Sequence, residues 1–207
     1  MTDIRAVLFD LLTALVDSWT LWGKVAGSPE KGRIWRQAYL RVTYGTGTYR
    51  AYQDLLAESA RAAGCPEHYA ASLAARWGEL APWPEVPAVL DRLRPGFALG
   101  VVTNCSEALA RRTACVLGPF ASIVTAERAG FYKPHPRPYR LALEELSLPA
   151  HQVLFVAGSG FDLAGAASVG MPVYWHNRAA LPPPEGAPAP LAESRDLHTI
   201  ADWLLTR

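Results

Sequence analysis

Apolar runs that stop abruptly on polar residues constrain this chain more than any other feature: "RAVLFD", "FALGVVTNCS", "QVLFVAGSG" and "MPVYWHN". A strand buried on both faces of a parallel sheet reads as a continuous Val/Leu/Phe run, whereas a half-exposed strand alternates. Helical stretches separate the later runs, namely "SEALARRTACVLG", "RPYRLALEELSL" and "DLAGAASVG", with a shorter strand at "SIVTAE" and a closing helix at "HTIADWLL". Such alternation predicts an α/β fold, a doubly wound parallel sheet with right-handed crossovers. One long interruption follows the first strand. From Ser18 to Pro82 no strand is visible, but "GRIWRQAYLRVTYG", "YRAYQDLLAESARAAG" and "HYAASLAARWGEL" carry helical spacing. The expected organisation is therefore a core of residues 1–17 and 83–207 with a helical cap, 18–82, inserted after the first strand. The proline-rich "LPPPEGAPAPLAES" reads as an extended surface loop.

Polar groups then collect at strand ends: Asp10, the pair Thr103 and Asn104, Lys133 beyond a turn, and Ser159 with Asp162. In an open parallel sheet the carboxyl ends of the strands share one edge, so these residues can line one pocket. An ammonium beside Asp10 keeps it ionised, and a second carboxylate can orient or activate water, which is a nucleophile arrangement. An ion pair capping two helices is the bland alternative for each residue taken singly.

The charge balance narrows the class of partner. With 20 basic and 19 acidic residues the net charge is +1, which gives no field suited to nucleic acid or to an anionic membrane surface. A small-molecule substrate is expected, and a homodimer stays open as the protein partnership. Neither a leader-like segment nor a membrane-length apolar run is present, so a cytoplasmic location is expected. Cys65, Cys105 and Cys115 lack metal spacing and read as free thiols. His68, His151, His176 and His198 show no ligand spacing, and His135 in "KPHP" reads as a helix start or a solvent-facing residue. Core packing is the expected role of Trp19, Trp22 and Trp35, with a pocket wall as the alternative.

Taken together, "LFD" at Leu8 to Asp10, "VVTN" at Val101 to Asn104, "YKPHPRPY" at Tyr132 to Tyr139 and "VLFVAGSGFD" at Val153 to Asp162 resemble the haloacid dehalogenase superfamily. The resemblance spans nearly the whole chain and implies the same core-and-cap fold. "IWRQAYLRVTYG", "YRAYQDLL" and the ending "LFVAGSGFDLAGAASVGMPVYWHNR" are similar to the branch that hydrolyses 2-haloacids. That likeness implies Arg36 at the mouth of the site, Tyr52 and Phe161 as aromatic lining, and a close running from Trp175 to Arg178. Most relatives resemble magnesium-dependent phosphatases with a second aspartate two residues after the nucleophile, where this chain has Leu12. An alkoxide leaving group needs a general acid and a halide does not, so Leu12 points away from phosphoryl transfer.

The activity implied is hydrolysis of small 2-halocarboxylates through an aspartyl ester, with no metal or other cofactor. Asp10 is the expected nucleophile, Asp162 the water-orienting acid, Lys133 the holder of both carboxylates, and Arg36 the halide or carboxylate receiver. Thr103 and Asn104 are expected to bind substrate or halide, with Leu12, Tyr52, Ser159 and Phe161 lining the pocket. Alternatives are a phosphatase holding Mg²⁺ through Asp10 and Asp162, and a non-catalytic relative that binds a small anion or a protein partner. The chain departs from the branch at Leu12, Thr13 and Ala14, where a tyrosine, a glycine and a threonine are usual, and at Ala157 and Ser159. Ala14 and Ala157 remove hydroxyls worth roughly 1–3 kcal/mol each as site hydrogen bonds, so a slow enzyme is expected.

Overall fold

The first apolar run becomes β1 (Ala6–Phe9), and all four of its residues are buried. The computed structural model describes residues 3–206. Five further strands extend the sheet: β2 (Ala98–Thr103), β3 (Ser122–Thr125), β4 (Val153–Ala157), β5 (Val173–His176) and β6 (Ala192–Ser194). Their spatial order is β3-β2-β1-β4-β5-β6, and each neighbouring pair is parallel. Helices supply the crossovers and cover both faces: α5 (Val86–Leu93), α6 (Glu107–Ala114), the short α7 (Ala126–Ala129), α8 (Pro136–Leu146), α9 (Asp162–Ser168) and α10 (His198–Leu205). Val7 and Phe9 join one apolar cluster with Val89, Leu90 and Ile200, while Leu8 joins another with Tyr139, Ala142 and Leu163. That two-sided burial is why the strand reads as an unbroken apolar run.

The order fixes where chemistry can sit. β1 lies between β2 and β4, with Phe9 opposite Val101 on one side and Val156 on the other. The next residues of these strands, Asp10, Val102–Thr103 and Ala157, therefore reach the same edge, at the point where strand order reverses.

Between β1 and α5 the chain builds four helices: α1 (Ser18–Ala26), α2 (Pro29–Thr46), α3 (Tyr52–Ala62) and α4 (His68–Ala75). Capping explains two of the starts. Asp17 accepts from the Thr20 N–H, and Ser28 accepts from the Lys31 N–H ahead of Pro29, a residue pre-set for a first turn. Trp22 and Trp35 are fully buried here, their rings 5.9 Å apart, which settles the packing role of both. α1 and α2 cross so closely that Gly32 lies directly on the backbone of Gly23 and Trp22, where a Cβ has no room. Two isolated backbone bridges lie outside the sheet, where the inserted helices meet the core: Val16 with Pro82 and Thr48 with Phe131.

Two expectations need correction. The proline-rich segment is not loop throughout, since Ala192–Ser194 adds β6 beside β5 with Tyr174 opposite Ala192. Its three residues are intermediate or exposed, so no apolar run announces the strand, and backbone pairing alone makes it. A helix at α1 was not expected separately within the helical region. Among the described residues no helix is long and apolar enough to cross a membrane.

Because the close crossing depends on Gly32, Gly32→Ala is expected to force α1 and α2 apart and cost about 1–3 kcal/mol. Gly45→Ala on the same helix meets nothing within 4 Å and should be neutral or stabilising by up to about 1 kcal/mol. Urea denaturation of the two variants checks the contrast, and equal effects would contradict the packing account.

Candidate active site

Residues Leu11–Leu15 follow the nucleophile candidate as a single wide helical turn, all five buried. A wide turn leaves carbonyls without helical partners, and buried carbonyls need donors. Three side chains supply them. The Ser18 hydroxyl donates to Leu12 O, the Trp83 indole N–H to Thr13 O at 3.4 Å, and His176 Nδ1 lies 2.9 Å from Ala14 O. The loop carrying Asp10 is thus tied to the inserted helices, to the segment before α5 and to β5.

Asp10 caps this turn. Its Oδ2 accepts from the Thr13 N–H at 2.7 Å and from the Thr13 hydroxyl, and its Oδ1 accepts from Lys133 Nζ at 2.7 Å. Lys133 also lies 3.0 Å from Asp162 Oδ1, and Tyr139 donates to the same oxygen at 3.0 Å. Lys133 and Asp162 are 0% exposed and Asp10 is 3% exposed, so one ammonium sits between two carboxylates away from water. Backbone bonds set its position, because Asn104 Oδ1 accepts from Lys133 N at 2.7 Å and Asn104 Nδ2 donates to Lys133 O at 3.1 Å.

Burial works to raise the Asp10 carboxyl, yet the Lys133 ammonium and the two Thr13 donors outweigh it and hold the group below its ordinary value. For Asp162 burial wins. Its carboxyl is pushed up to about 6, by burial first and by the neighbouring Asp10 charge, against the pull of Lys133. Lys133 itself is raised, since the attraction of Asp10 and Asp162 exceeds the burial penalty on its charge.

Beside this cluster lies a tight cavity of about 10 Å³ lined by Asp10, Leu12, Thr103, Asn104 and, from α2, Arg36, Tyr39 and Tyr44. Arg36 is buried among rings, its guanidinium carbon 4.8 Å from the Trp22 centroid and 4.7 Å from that of Tyr39. Nε donates to Ser18 Oγ at 3.1 Å, but Nη1 has no hydrogen-bond partner, and no carboxylate pairs with Arg36 among the described residues. Thr103 Oγ1 is likewise buried and unpartnered.

The structure therefore brings Asp10, Lys133, Asp162, Arg36, Thr103, Asn104 and Leu12 together. It does not bring three other candidates to the cavity. Tyr52 stands behind Tyr39, edge-on at 6.0 Å with its hydroxyl donating to the Tyr39 oxygen, because α2 lies between α3 and the strand ends. Ser159 is turned into its own loop, where its Oγ accepts from Phe161 N at 3.4 Å. Phe161 is 36% exposed and stacks at 5.3 Å on Tyr44, which lines the cavity in its place. Sequence reasoning missed Thr13, Tyr39, Tyr44 and Tyr139 as site residues. Helical spacing from Arg36 places Tyr39, Leu40 and Tyr44 on one face, so that signal was available for the α2 tyrosines. The close from Trp175 to Arg178 is structural, with Asn177 donating to Leu181 O and Glu193, and Arg178 paired to Glu85 at 2.8 Å.

A haloacid dehalogenase-like hydrolase family model matches residues 4–170. The chain belongs to that family. Among relatives, (S)-2-haloacid dehalogenase H-109 of Pseudomonas putida is 28% identical over 223 residues, covering 99% of this chain and 100% of that protein. A phosphoglycolate phosphatase of Rhodospirillum rubrum is 33% identical over 167 residues, 79% of this chain and 68% of its own. Among solved structures, the L-2-haloacid dehalogenase RSc1362 superposes with a TM-score of 0.84 at 27% identity, covering 99% of this chain and 100% of that one. Both chemistries of the family are thus represented among its relatives.

Lys133→Met leaves two buried carboxylates without their cation, and the expected cost near neutral pH is about 3–5 kcal/mol. Burial alone would then raise both folded-state values above the unfolded ones, so the loss is greatest at high pH and shrinks as pH falls and the carboxyls protonate. Denaturation at two pH values checks this; an equal loss at both would contradict the charge account.

Proposed function

We propose that the chain is a 2-haloacid dehalogenase that works through an aspartyl ester, with α1–α4 acting as a cap, residues 18–82, over a core of 1–17 and 83–207. One observation carries the reading: an ionised, buried Asp10 faces, across one small cavity, an Arg36 guanidinium with an unpartnered donor and no carboxylate. A buried unpaired cation is costly, and an anionic ligand removes the cost. A halocarboxylate brings one anion when it binds and creates a second when halide leaves.

Asp10 attacks the carbon bearing the halogen and displaces halide. Negative charge moves from the Lys133 side of the cavity to the Arg36 side, where unsatisfied donors wait. Thr103 Oγ1 and the Asn104 region hold the substrate, and the Leu12 side chain supplies an apolar wall where halide departs without a proton. In the second step Asp162, with its raised carboxyl ionised above about pH 6, takes a proton from water that attacks the ester. Tyr139 and Lys133 keep Asp162 aimed.

The donor set does not fit magnesium. Both carboxylates already bind Lys133, Leu12 puts an apolar group where a third ligand would help, and among the described residues no group of three or more His, Cys, Asp or Glu side chains is placed to hold a metal. General acid catalysis contributes typically ~10²–10⁴-fold, and Leu12 cannot supply it to an alkoxide.

Halide release from monochloroacetate and 2-chloropropionate is expected, unaffected by chelator and absent in Asp10→Asn, which keeps the fold because the amide is nearly isosteric. Magnesium-dependent phosphate release from an aryl phosphate, without halide release, would instead establish the phosphatase reading. Below about pH 6 Asp162 is protonated while Asp10, held low, remains ionised. Turnover should therefore fall as pH drops through that value while the first release of halide persists, and steady-state assays beside single-turnover assays read the difference.

A further inference from the structure

The two oxygens of Asp10 are held differently. Oδ2 accepts both the N–H and the hydroxyl of Thr13, whereas Oδ1 accepts a single bond from Lys133. Each carboxylate oxygen offers about two acceptor directions, so Oδ2 is saturated and Oδ1 keeps a free lone pair. Oδ1 is then the oxygen that bonds to substrate carbon, and Oδ2 becomes the carbonyl oxygen of the ester.

Resting on the aspartyl-ester reading above, we propose that Thr13 is a catalytic residue of the second step, its backbone N–H and hydroxyl forming an oxyanion hole around Asp10 Oδ2. Water adds to the ester carbon, its oxygen bonding to Cγ while one proton passes to Asp162. The electron pair of the carbonyl double bond moves to Oδ2, the atom already facing both Thr13 donors. Collapse restores the double bond and breaks the bond from Cγ to Oδ1. The departing alkoxide forms beside Lys133 and takes the proton back from Asp162. Asp10 is left holding the water oxygen, and its own remaining proton is released, which regenerates the carboxylate.

The donors are in place before reaction, and fixed donors aimed at developing charge are worth most in a dry site. Three side chains hold the carbonyls of residues 12 to 14, so the turn cannot relax away from Asp10. Room for the hydroxyl comes from β4's following loop. A Cβ on Gly158 would collide with Thr13 Oγ1 and Ala14 N, so Gly158 and Thr13 form a matched pair. Ala14 carries no hydroxyl, which leaves Thr13 to supply the side-chain donor on this turn.

The test is a rapid-quench comparison of the wild type with Thr13→Ser, Thr13→Val and Thr13→Ala on monochloroacetate, following halide and the mass of the Asp10 peptide. Thr13→Val and Thr13→Ala should release their first equivalent of halide close to the wild-type rate and then stall. Steady-state turnover should drop by about 10²-fold, with the Asp10 ester accumulating, and Thr13→Ser should restore both. Thr13→Ala carries the comparison if the valine variant does not fold. Unchanged turnover, or an equal slowing of burst and turnover without accumulated ester, overturns the Thr13 assignment while the ester reading stands. A wild type without any halide burst overturns the ester reading itself, and the assignment with it.

Discussion

A single ammonium buried between two carboxylates sets the terms for everything around it. Lys133 has no solvent exposure, Asp162 has none, and Asp10 has almost none, so each charge is tolerable only while the others are within hydrogen-bond reach. That requirement explains why three separate segments beyond the strands must meet. β1 delivers Asp10, the turn after α7 delivers Lys133, and the loop after β4 delivers Asp162. The strand order that places β1 between β2 and β4 is what lets them converge.

The same constraint accounts for the leucines that follow Asp10. A polar turn there would admit water and weaken the pairing of Asp10 with Lys133, since attraction between charges rises as the surroundings become less polarisable. Leu11 and Leu12 instead continue the core up to the carboxylate, and the backbone groups this strands inside are met by Ser18, Trp83 and His176. On the proposed reading one leucine serves two ends: Leu12, buried beside Asp10, keeps that carboxylate dry and offers no general acid. Across the cavity, Arg36 lies in a cage of aromatic rings, where a guanidinium is accommodated by ring faces while its Nη1 has no hydrogen-bond partner.

The sheet, its crossovers and the inserted helices were legible because strands buried on both faces and helices of ordinary length leave periodic signals. β6 was not, since its three residues join by backbone pairing and bury little. Within the site, Asp10 was legible as a carboxylate stopping an apolar run, and Lys133 and Asp162 as charged groups just beyond strand ends. Tyr52 stands away from the cavity for a geometric reason: an aromatic on a neighbouring helix fits a pocket in sequence, but only packing decides that Tyr39 stands in front of it. Thr13 escaped because a threonine in a leucine-rich turn has no pattern of its own. Its meaning comes from a hydrogen bond to Asp10 and from the space left by Gly158, which lies more than a hundred residues away.

The central claim is that Asp10 becomes covalently bonded to substrate, and isotope placement tests it most directly. In water enriched with heavy oxygen, with enzyme in excess over a monohaloacetate, the account predicts that a single turnover places heavy oxygen in the Asp10 carboxylate and none in the hydroxy acid, whose oxygen came from Asp10. Heavy oxygen found in the product of that first turnover, with Asp10 unlabelled, would mean that water attacks substrate directly and would contradict the account.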